Sequence, residues 1–318
     1  KDLTIEEVIR VCRGMEKVEI SEEAQVAVNK ARGYIDSKLE EGAIIYGLTT
    51  GFGKFANVFI DMDQTAELQH NLIISHTCGM GEPYEQKYVR AAMLLRCNAL
   101  SRGNSGIRLS TIQTMVDMLN AGVHPQVPCK GSLGASGDLA PLSFIALGLI
   151  GLGEVEYKGK IMPAADAMEK AGISPVKLVA KEGLALNNGT QMMTAVGVNV
   201  LWDAMNLAKI ADIAGAMTSE ALHGITKAYD HKVHELRGHQ GQIDVASNLM
   251  TLLEGSKNAK RIQETKVQDP YTLRCIPQIH GASRDAFKYV FDAVSREINA
   301  VTDNPIVFPD DDDVISGG

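Results

Sequence analysis

The chain has 318 residues, of which 45% are hydrophobic, so it can bury a sizeable core in one large or two medium domains. Its formal net charge of -8, with lysines and arginines scattered along the sequence, argues against a nucleic-acid partner. The apolar segments are interrupted by glycine and shorter than a membrane span, and we expect neither a signal peptide nor a membrane segment.

Helical periodicity dominates the sequence. Thr4 to Glu7 form a capping box ahead of a helix that Gly14 is expected to stop, and Ser21 opens a second helix. Further helices are predicted at about 64–76, 84–102, 107–120, 139–151, 191–220 and 283–301. The segment 191–220 is so apolar that we expect it to be buried around most of its circumference, as in a bundle core or an oligomer interface.

Two short features are not helical. Residues 154–161 alternate around a glycine, which predicts a β-hairpin, and the aspartates at 310–313 are expected in a solvated loop.

The cysteines are odd in number and have no metal-ligand or redox spacing, so they are interpreted as reduced thiols of a cytoplasmic protein. They are Cys12, Cys78, Cys97, Cys129 and Cys275.

The stretch from Gly131 to Asp138 consists mostly of small residues and precedes an apolar helix. Taken alone, such a stretch is usually a loop leading into a helix. Its inner triplet, Ala135-Ser136-Gly137, has a chemical option, because Gly137 has no side chain to keep its nitrogen from reaching the Ala135 carbonyl. Closure with loss of two waters would give 4-methylidene-imidazol-5-one, an electrophile made from backbone.

Four other positions have ordinary interpretations when each is considered alone. The glycines that follow Tyr46 do not fit the dinucleotide fingerprint, so the Tyr46–Gly53 loop is not expected to cradle a nucleotide. His76 alone would be a core or capping histidine, and Asn188 would lie in a turn before a helix. Arg274 alone would form a surface salt bridge. Three further arginines are expected to be solvated charges on a helix face, namely Arg90, Arg96 and Arg102.

Taken together, these motifs resemble the family of aromatic amino acid ammonia-lyases. Ala135-Ser136-Gly137-Asp138-Leu139-Ala140-Pro141 is similar to the family signature, and the motifs around Tyr46, Asn188 and Arg274 occur in the family's order. Ser75-His76 resembles the histidine-specific members, whereas phenylalanine lyases carry Phe-Leu and tyrosine lyases His-Leu at this place. Thr302-Asp303-Asn304-Pro305 resembles another family motif, which is interpreted as a structural turn. The relatives continue beyond Gly318, so a C-terminally truncated chain is expected.

The resemblance implies a role for each residue of the site. The electrophile would form from Ala135, Ser136 and Gly137, next to Asp138, and Asn188 would hydrogen-bond the substrate and the ring carbonyl. Tyr46 would act as the general base, and His76 would recognise an imidazole. Arg274 would bind the substrate carboxylate in a bidentate manner, and neighbouring subunits would contribute Gln268 and Tyr271. A phenol has an ordinary pKa of about 10, so the base would need help from the positive ends of helices.

The expected protein is mainly α, with a long-helix bundle core and a small mixed α/β N-terminal part bearing the electrophile loop. Its domains are predicted at 1–182 and 183–318, the second being incomplete. The expected reaction is elimination of ammonia from L-histidine to give trans-urocanate in histidine degradation, by a homotetramer with shared active sites and without metal or external cofactor. Two alternatives stay open: a phenylalanine or tyrosine ammonia-lyase or aminomutase of the same family, or a catalytically dead helical assembly fragment.

Overall fold

A computed structural model describes residues 2–51, 53, 57–60, 64–134 and 136–317 as a mainly helical chain, which confirms the predicted fold class. The chain forms two compact units, the first from residues 1–198 with 295–318 and the second from residues 199–294. The domain boundary predicted between 182 and 183 lies inside the first unit, and the division of the protein at that point stays a prediction. Within the described ranges, no helix is long and apolar enough to cross a bilayer.

The first two helices begin where the capping signals predict. Helix α1 (Ile5–Gly14) has the predicted capping box, in which Thr4 Oγ1 accepts the Glu7 amide proton and Glu7 accepts that of Thr4. Its left-handed terminal residue is Met15, with φ 59°, rather than Gly14. Helix α2 (Glu22–Glu40) begins after Ser21, whose hydroxyl accepts from the Ala24 amide.

Over the described ranges, seven more helices follow, up to and including the one that leads into the second unit, and most of them were predicted. They are α3 (Thr65–His76), α4 (Gln86–Leu100), α5 (Leu109–Ala121), α6 (Leu139–Leu149), α7 (Ala164–Ala171), α8 (Glu182–Asn187) and α9 (Gln191–Ala221). Helices α7 and α8 were not predicted, because eight and six residues are too few to establish a helical period. Apolar side chains along α9 are exposed in the single chain, including Met193, Val200, Leu207 and Met217, so burial of α9 in a bundle core or an oligomer interface stays a prediction.

The prediction that the arginines of α4 are solvated is wrong. Arg90 and Arg96 are 1% and 0% exposed. Arg90 donates to the carbonyl oxygens of Val11 and Leu119 at 2.8 Å each. A guanidinium carries five N–H donors, so buried carbonyl groups at the ends of packed helices can satisfy it in place of water.

In the part of the chain that the structure describes, the strands form three small antiparallel sheets, all in the first unit. Strand β1 (Met80–Pro83) pairs with β3 (Pro128–Lys130), β2 (Val123–Pro125) with β4 (Glu154–Tyr157), β4 with β5 (Lys160–Pro163), and β6 (Ile306–Phe308) with β7 (Asp313–Ile315). The predicted hairpin is confirmed as β4–β5, whose two loop residues, Lys158 and Gly159, both have positive φ. The aspartates before β7 lie in an exposed turn, as predicted.

The second unit is helical in its described elements. Besides part of α9 it contains a 3₁₀ turn (Thr226–Tyr229), α10 (His231–Arg237), α11 (Gln240–Leu252), α12 (Tyr271–Arg274) and most of α13 (Ile276–Glu297). The helix predicted at 283–301 therefore begins earlier and ends earlier than expected. The core of this unit is apolar and includes Tyr229, Val245, Leu249, Leu253 and Ile276.

Candidate active site

A cavity of about 570 Å³ in the first unit contains several of the predicted site residues. Five of them line it, namely Tyr46, His76, Ser136, Gly137 and Asn188. The remaining wall consists of Gly53, Leu72, Leu139, Leu184, Asn187, Gly189, Thr190, Val301, Thr302, Asp303, Asn304, Ile306 and Gly317. Of the other predicted residues, Ala135 lies outside the part of the chain that the structure describes.

The loop before α6 approaches the backbone of a second segment closely. Gly137 has φ +79°, and a Cβ built on it would lie 2.5 Å from the carbonyl oxygen of Gly189. A side chain is therefore excluded both by the backbone conformation and by the contact. The Gly137 amide donates to the carbonyl oxygen of Gly134 at 3.3 Å.

Hydrogen bonds in both directions join these two segments. Asn188, the C-terminal cap of α8, donates through Nδ2 to the carbonyl oxygen of Ser136 at 3.0 Å. In return, the Asp138 amide donates to the carbonyl oxygen of Gly189 at 2.6 Å. The Ser136–Asp138 backbone is thus fixed against the turn between α8 and α9.

Asp138 is 5% exposed and its carboxylate contacts helix α9 rather than its own helix. Oδ2 accepts the Met193 amide proton at 2.7 Å in the first turn of α9, and Oδ1 accepts from the Ser132 hydroxyl at 3.0 Å. A carboxylate at this position accepts a hydrogen bond from an N–H group that has no acceptor within the helix, and it faces the positive end of the helix. Asp138 therefore ties the loop to α9.

Tyr46 lies in a turn that precedes the glycine-rich loop. Its hydroxyl oxygen accepts the Gly53 amide proton at 3.2 Å. The adjacent Leu48 is fully buried, and the Gly47 amide donates to Thr50 Oγ1 at 3.2 Å. The backbone that follows the phenol is thus anchored, and the hydroxyl oxygen receives a backbone donor.

His76 is the last residue of α3 and is partly buried. Its Nδ1 lies 2.9 Å from the carbonyl oxygen of Leu72 and 3.1 Å from Ser75 Oγ. A carbonyl oxygen can only accept, so Nδ1 carries a proton and Nε2 is the acceptor nitrogen of the neutral ring. The cavity wall therefore includes an imidazole with a defined tautomer.

The other three predicted residues belong to the second unit. The guanidinium carbon of Arg274 lies 4.1 Å from the centre of the Tyr271 ring, a cation–π contact. Arg274 and Gln268 line a separate cavity of about 280 Å³. Tyr271 is 71% exposed. The structure thus groups these residues with one another within their own unit.

The motif Thr302-Asp303-Asn304, interpreted from the sequence as a structural turn, contributes to the wall of the larger cavity. Asp303 Oδ2 accepts from the fully buried Lys181 Nζ at 2.8 Å. Sequence patterns could not indicate Lys181, because its partner is 122 residues away. Over the described ranges, no three His, Cys, Asp or Glu side chains are grouped so as to hold a metal ion.

Comparisons with known proteins agree on one family. A family model described as aromatic amino acid lyase matches residues 3–318. The histidine ammonia-lyases of Alkaliphilus oremlandii and Clostridium tetani are 57% and 54% identical to the chain and match 100% of it. The chain spans 63% and 62% of the length of these two relatives.

Solved structures with the same fold include enzymes with different names. Histidine ammonia-lyase from Trypanosoma cruzi has a TM-score of 0.90 and 38% identity, with 99% of this chain and 60% of that chain covered. The phenylalanine aminomutase of Pantoea agglomerans has a TM-score of 0.95 and 34% identity, with 100% and 65% covered.

Proposed function

The chain belongs to the aromatic amino acid lyase family, and from this we propose that the protein eliminates ammonia from L-histidine to give trans-urocanate. The observation that carries the proposal is the cavity in which Tyr46, His76 and Asn188 surround the Ser136–Gly137 peptide. The names of the relatives at 50–57% identity support histidine as the substrate. The reaction would belong to histidine degradation.

Lyases of this family generally use 4-methylidene-imidazol-5-one, and the residues around Ser136 fit that group. The Ser136 carbonyl would become the ring carbonyl, and it already accepts a hydrogen bond from Asn188 Nδ2 at 3.0 Å. Gly137, whose nitrogen would enter the ring, has no space for a side chain. Formed from Ala135, Ser136 and Gly137, the group would supply an electrophilic alkene that activates the substrate for loss of ammonia.

Tyr46 is proposed as the base that removes the proton from the β-carbon of the substrate. Its hydroxyl oxygen accepts the Gly53 amide proton at 3.2 Å, which fixes the position of the phenol in the cavity wall. Such a positioned base typically contributes about 10²–10⁴-fold to a rate. Tyr46→Phe removes only the hydroxyl, so turnover is expected to fall within this range while the ring still forms.

His76 is proposed to recognise the imidazole of the substrate. Because Nδ1 is held by the Leu72 carbonyl, Nε2 can accept a hydrogen bond from the N–H of a substrate imidazole. A polar site of this kind rejects an apolar ring, since the buried acceptor would be left unpaired. The neighbouring Ser75 adds a second polar group.

Substitution of both residues tests this assignment. Ser75→Phe with His76→Leu in the full-length protein should lower kcat/KM for histidine far more than for phenylalanine. The product is a conjugated acid, so both rates can be followed by ultraviolet absorbance. An intact mass below the sequence mass by two waters serves as the control for ring formation. Unchanged histidine turnover in the double variant, or a wild-type preference for phenylalanine or tyrosine, would sink the assignment.

Arg274, Gln268 and Tyr271 are proposed to complete the site by binding the substrate carboxylate and its surroundings. The Tyr271 ring supports the guanidinium of Arg274 from one face, which leaves its planar fork available to a carboxylate. Their delivery by neighbouring copies in a homotetramer is part of this proposal, as is a cytoplasmic location with reduced cysteines. The exposed apolar side chains of α9 are consistent with a helix that is covered by other copies.

A second candidate function is an aminomutase or an ammonia-lyase for another aromatic amino acid. The high structural similarity to phenylalanine aminomutase is the observation in its favour. Ser75-His76 and the names of the relatives favour histidine. A catalytically dead assembly would lack the mass deficit of two waters, so intact mass separates this third alternative from both enzymes.

A further inference from the structure

Helix α4 carries a guanidinium to the segment that joins α8 to α9. Arg96 is fully buried, and its Nε donates to the carbonyl oxygen of Ala185 at 2.8 Å. Its Nη2 donates to the same oxygen. Its Nη1 donates to Gln191 Oε1 at 2.9 Å. Ala185 lies in α8 and Gln191 is the first residue of α9, so a single planar fork fixes both ends of the 188–190 turn.

Gly189 packs directly against this fork. A Cβ built on Gly189 would lie 2.2 Å from Gln191 Oε1 and 2.4 Å from Arg96 Nη1. The Gly189 carbonyl oxygen in turn accepts from the Asp138 amide and would lie 2.5 Å from a Cβ on Gly137. The guanidinium therefore touches the Gly189 peptide, which in turn touches the ring-forming segment.

The same network extends to a third segment of the first unit. Gln191 Nε2 donates to Thr302 Oγ1 at 2.6 Å, and Thr190 Oγ1 donates to Glu297 Oε1. The turn is thus restrained by side chains from α4, α9, the last residue of α13 and the segment before β6. Because these contacts hold the turn in place, the turn stays packed against the Gly137 peptide.

We propose that Arg96 is a positioning residue for closure of the Ala135-Ser136-Gly137 ring, acting by holding the Asn188–Gly189 turn against the Ser136–Gly137 peptide. The inference rests on the proposed function, because it concerns formation of the group which that function requires. A lysine could not replace Arg96, since a single ammonium has no planar fork to donate in two fixed directions.

The closure needs no oxidant or helper. The Gly137 nitrogen bonds to the carbonyl carbon of Ala135, and that oxygen leaves as water with the amide hydrogens of Gly137 and Ser136. The second water takes the Ser136 hydroxyl and the hydrogen of its Cα. The protein's contribution is to hold the reacting peptide in place, and a misplacement of about 1 Å costs about 100-fold in rate.

The test measures ring closure directly in the full-length protein. Cell-free synthesis followed by intact mass at successive times gives the rate at which two waters are lost. Arg96→Lys should close the ring about 100-fold more slowly than wild type in the folded fraction. Its kcat should fall with the ring-bearing fraction, while KM of the ring-bearing molecules stays near the wild-type value.

Arg90→Lys is the matched control, because Arg90 is equally buried on the same helix but donates to Val11 and Leu119. It should lower thermal stability and leave the closure rate unchanged. Two milder substitutions of Gln191 test the proposal if Arg96→Lys does not fold. Gln191→Glu keeps an acceptor for Arg96 and should close normally, whereas Gln191→Leu should close slowly.

Two results would overturn the inference: folded Arg96→Lys or Gln191→Leu closing the ring at the wild-type rate, or Arg90→Lys slowing closure as much as Arg96→Lys. Failure of the proposed function has a different signature. A wild-type protein that never loses two waters removes both proposals. A wild-type protein that loses them and ignores histidine removes only the substrate, and the variants still test Arg96.

Discussion

The ion pair between Lys181 and Asp303 is buried, and removal of its carboxylate alone should lower the free energy of unfolding far more than removal of both charges. Lys181 Nζ lies 2.8 Å from Asp303 Oδ2, which also accepts from Ser105 Oγ. Oδ1 accepts the Asn304 amide proton at 2.8 Å, and Arg96 Nη2 lies 4.0 Å from it. One carboxylate therefore compensates two fully buried cations. Burial lowers the pKa of Lys181, and the carboxylate opposes that effect.

The size of the effect follows from what Asp303→Asn leaves behind. The variant must either keep an unpaired ammonium in the interior or neutralise it. Deprotonating a lysine with an ordinary pKa of about 10.4 at about pH 7 costs about 4.6 kcal/mol. Removal of one partner from buried pairs costs about 3–5 kcal/mol in measured cases, which is the same range. We therefore expect the free energy of unfolding to fall by about 4 kcal/mol.

Urea denaturation of a double-mutant cycle measures this coupling. Lys181→Met combined with Asp303→Asn should be more stable than Asp303→Asn alone by about 2 kcal/mol, because the unpaired ammonium is gone. The matched control is the pair of Lys30 and Asp310, whose side chains are 52% and 80% exposed. The same substitutions there should cost about 0–1 kcal/mol. Additive effects at Lys181 and Asp303, or a cost as small as that of the control, would refute the reasoning.

Two further predictions concern buried titratable groups. Burial, with a contribution from Arg90, lowers the pKa of His124 from 6.5 to about 3, so the unfolded chain binds a proton in this window that the folded chain does not. Because of this group, the free energy of unfolding should therefore fall by about 1.4 kcal/mol per pH unit as the pH drops from 6.5 towards 3. Urea denaturation of His124→Gln checks this, and a variant whose free energy of unfolding falls as steeply with pH as that of the wild type would contradict it. Burial also raises the pKa of the Cys97 thiol to about 12, so iodoacetamide should label the exposed Cys78 and Cys129 in the native protein and leave Cys97 unmodified. Peptide mass mapping checks the labelling, and rapid modification of Cys97 in folded protein would be the contrary result.

Local signals account for what the sequence could predict of the fold. The capping box at Thr4 and the hairpin turn at Lys158 and Gly159 use residues next to one another, so their chemistry is visible in the sequence. Helix α8 is different, because its start is fixed from a distance. Gln69 Oε1 accepts from the Gly183 amide at 2.9 Å across 114 residues. No window of sequence contains that hydrogen bond.

The candidate site was predictable to the extent that its residues lie in motifs. Tyr46, His76, Ser136 and Asn188 come from separate motifs, and the structure brings them to one cavity. Arg96 was misread because the carbonyl oxygen that accepts from it belongs to a residue 89 positions later. An arginine on an apolar helix looks solvated until its partners are known, since burial depends on tertiary contacts rather than on helical period.

The contact between Gly137 and Gly189 would make the proposed ring chemistry and the choice of substrate separable. It consists of main-chain atoms, so side chains elsewhere in the cavity can vary without altering it. The residues proposed to read the substrate, Ser75 and His76, lie at the end of α3, on a different element. A lineage could therefore exchange its substrate by changing the end of one helix while inheriting the reaction intact.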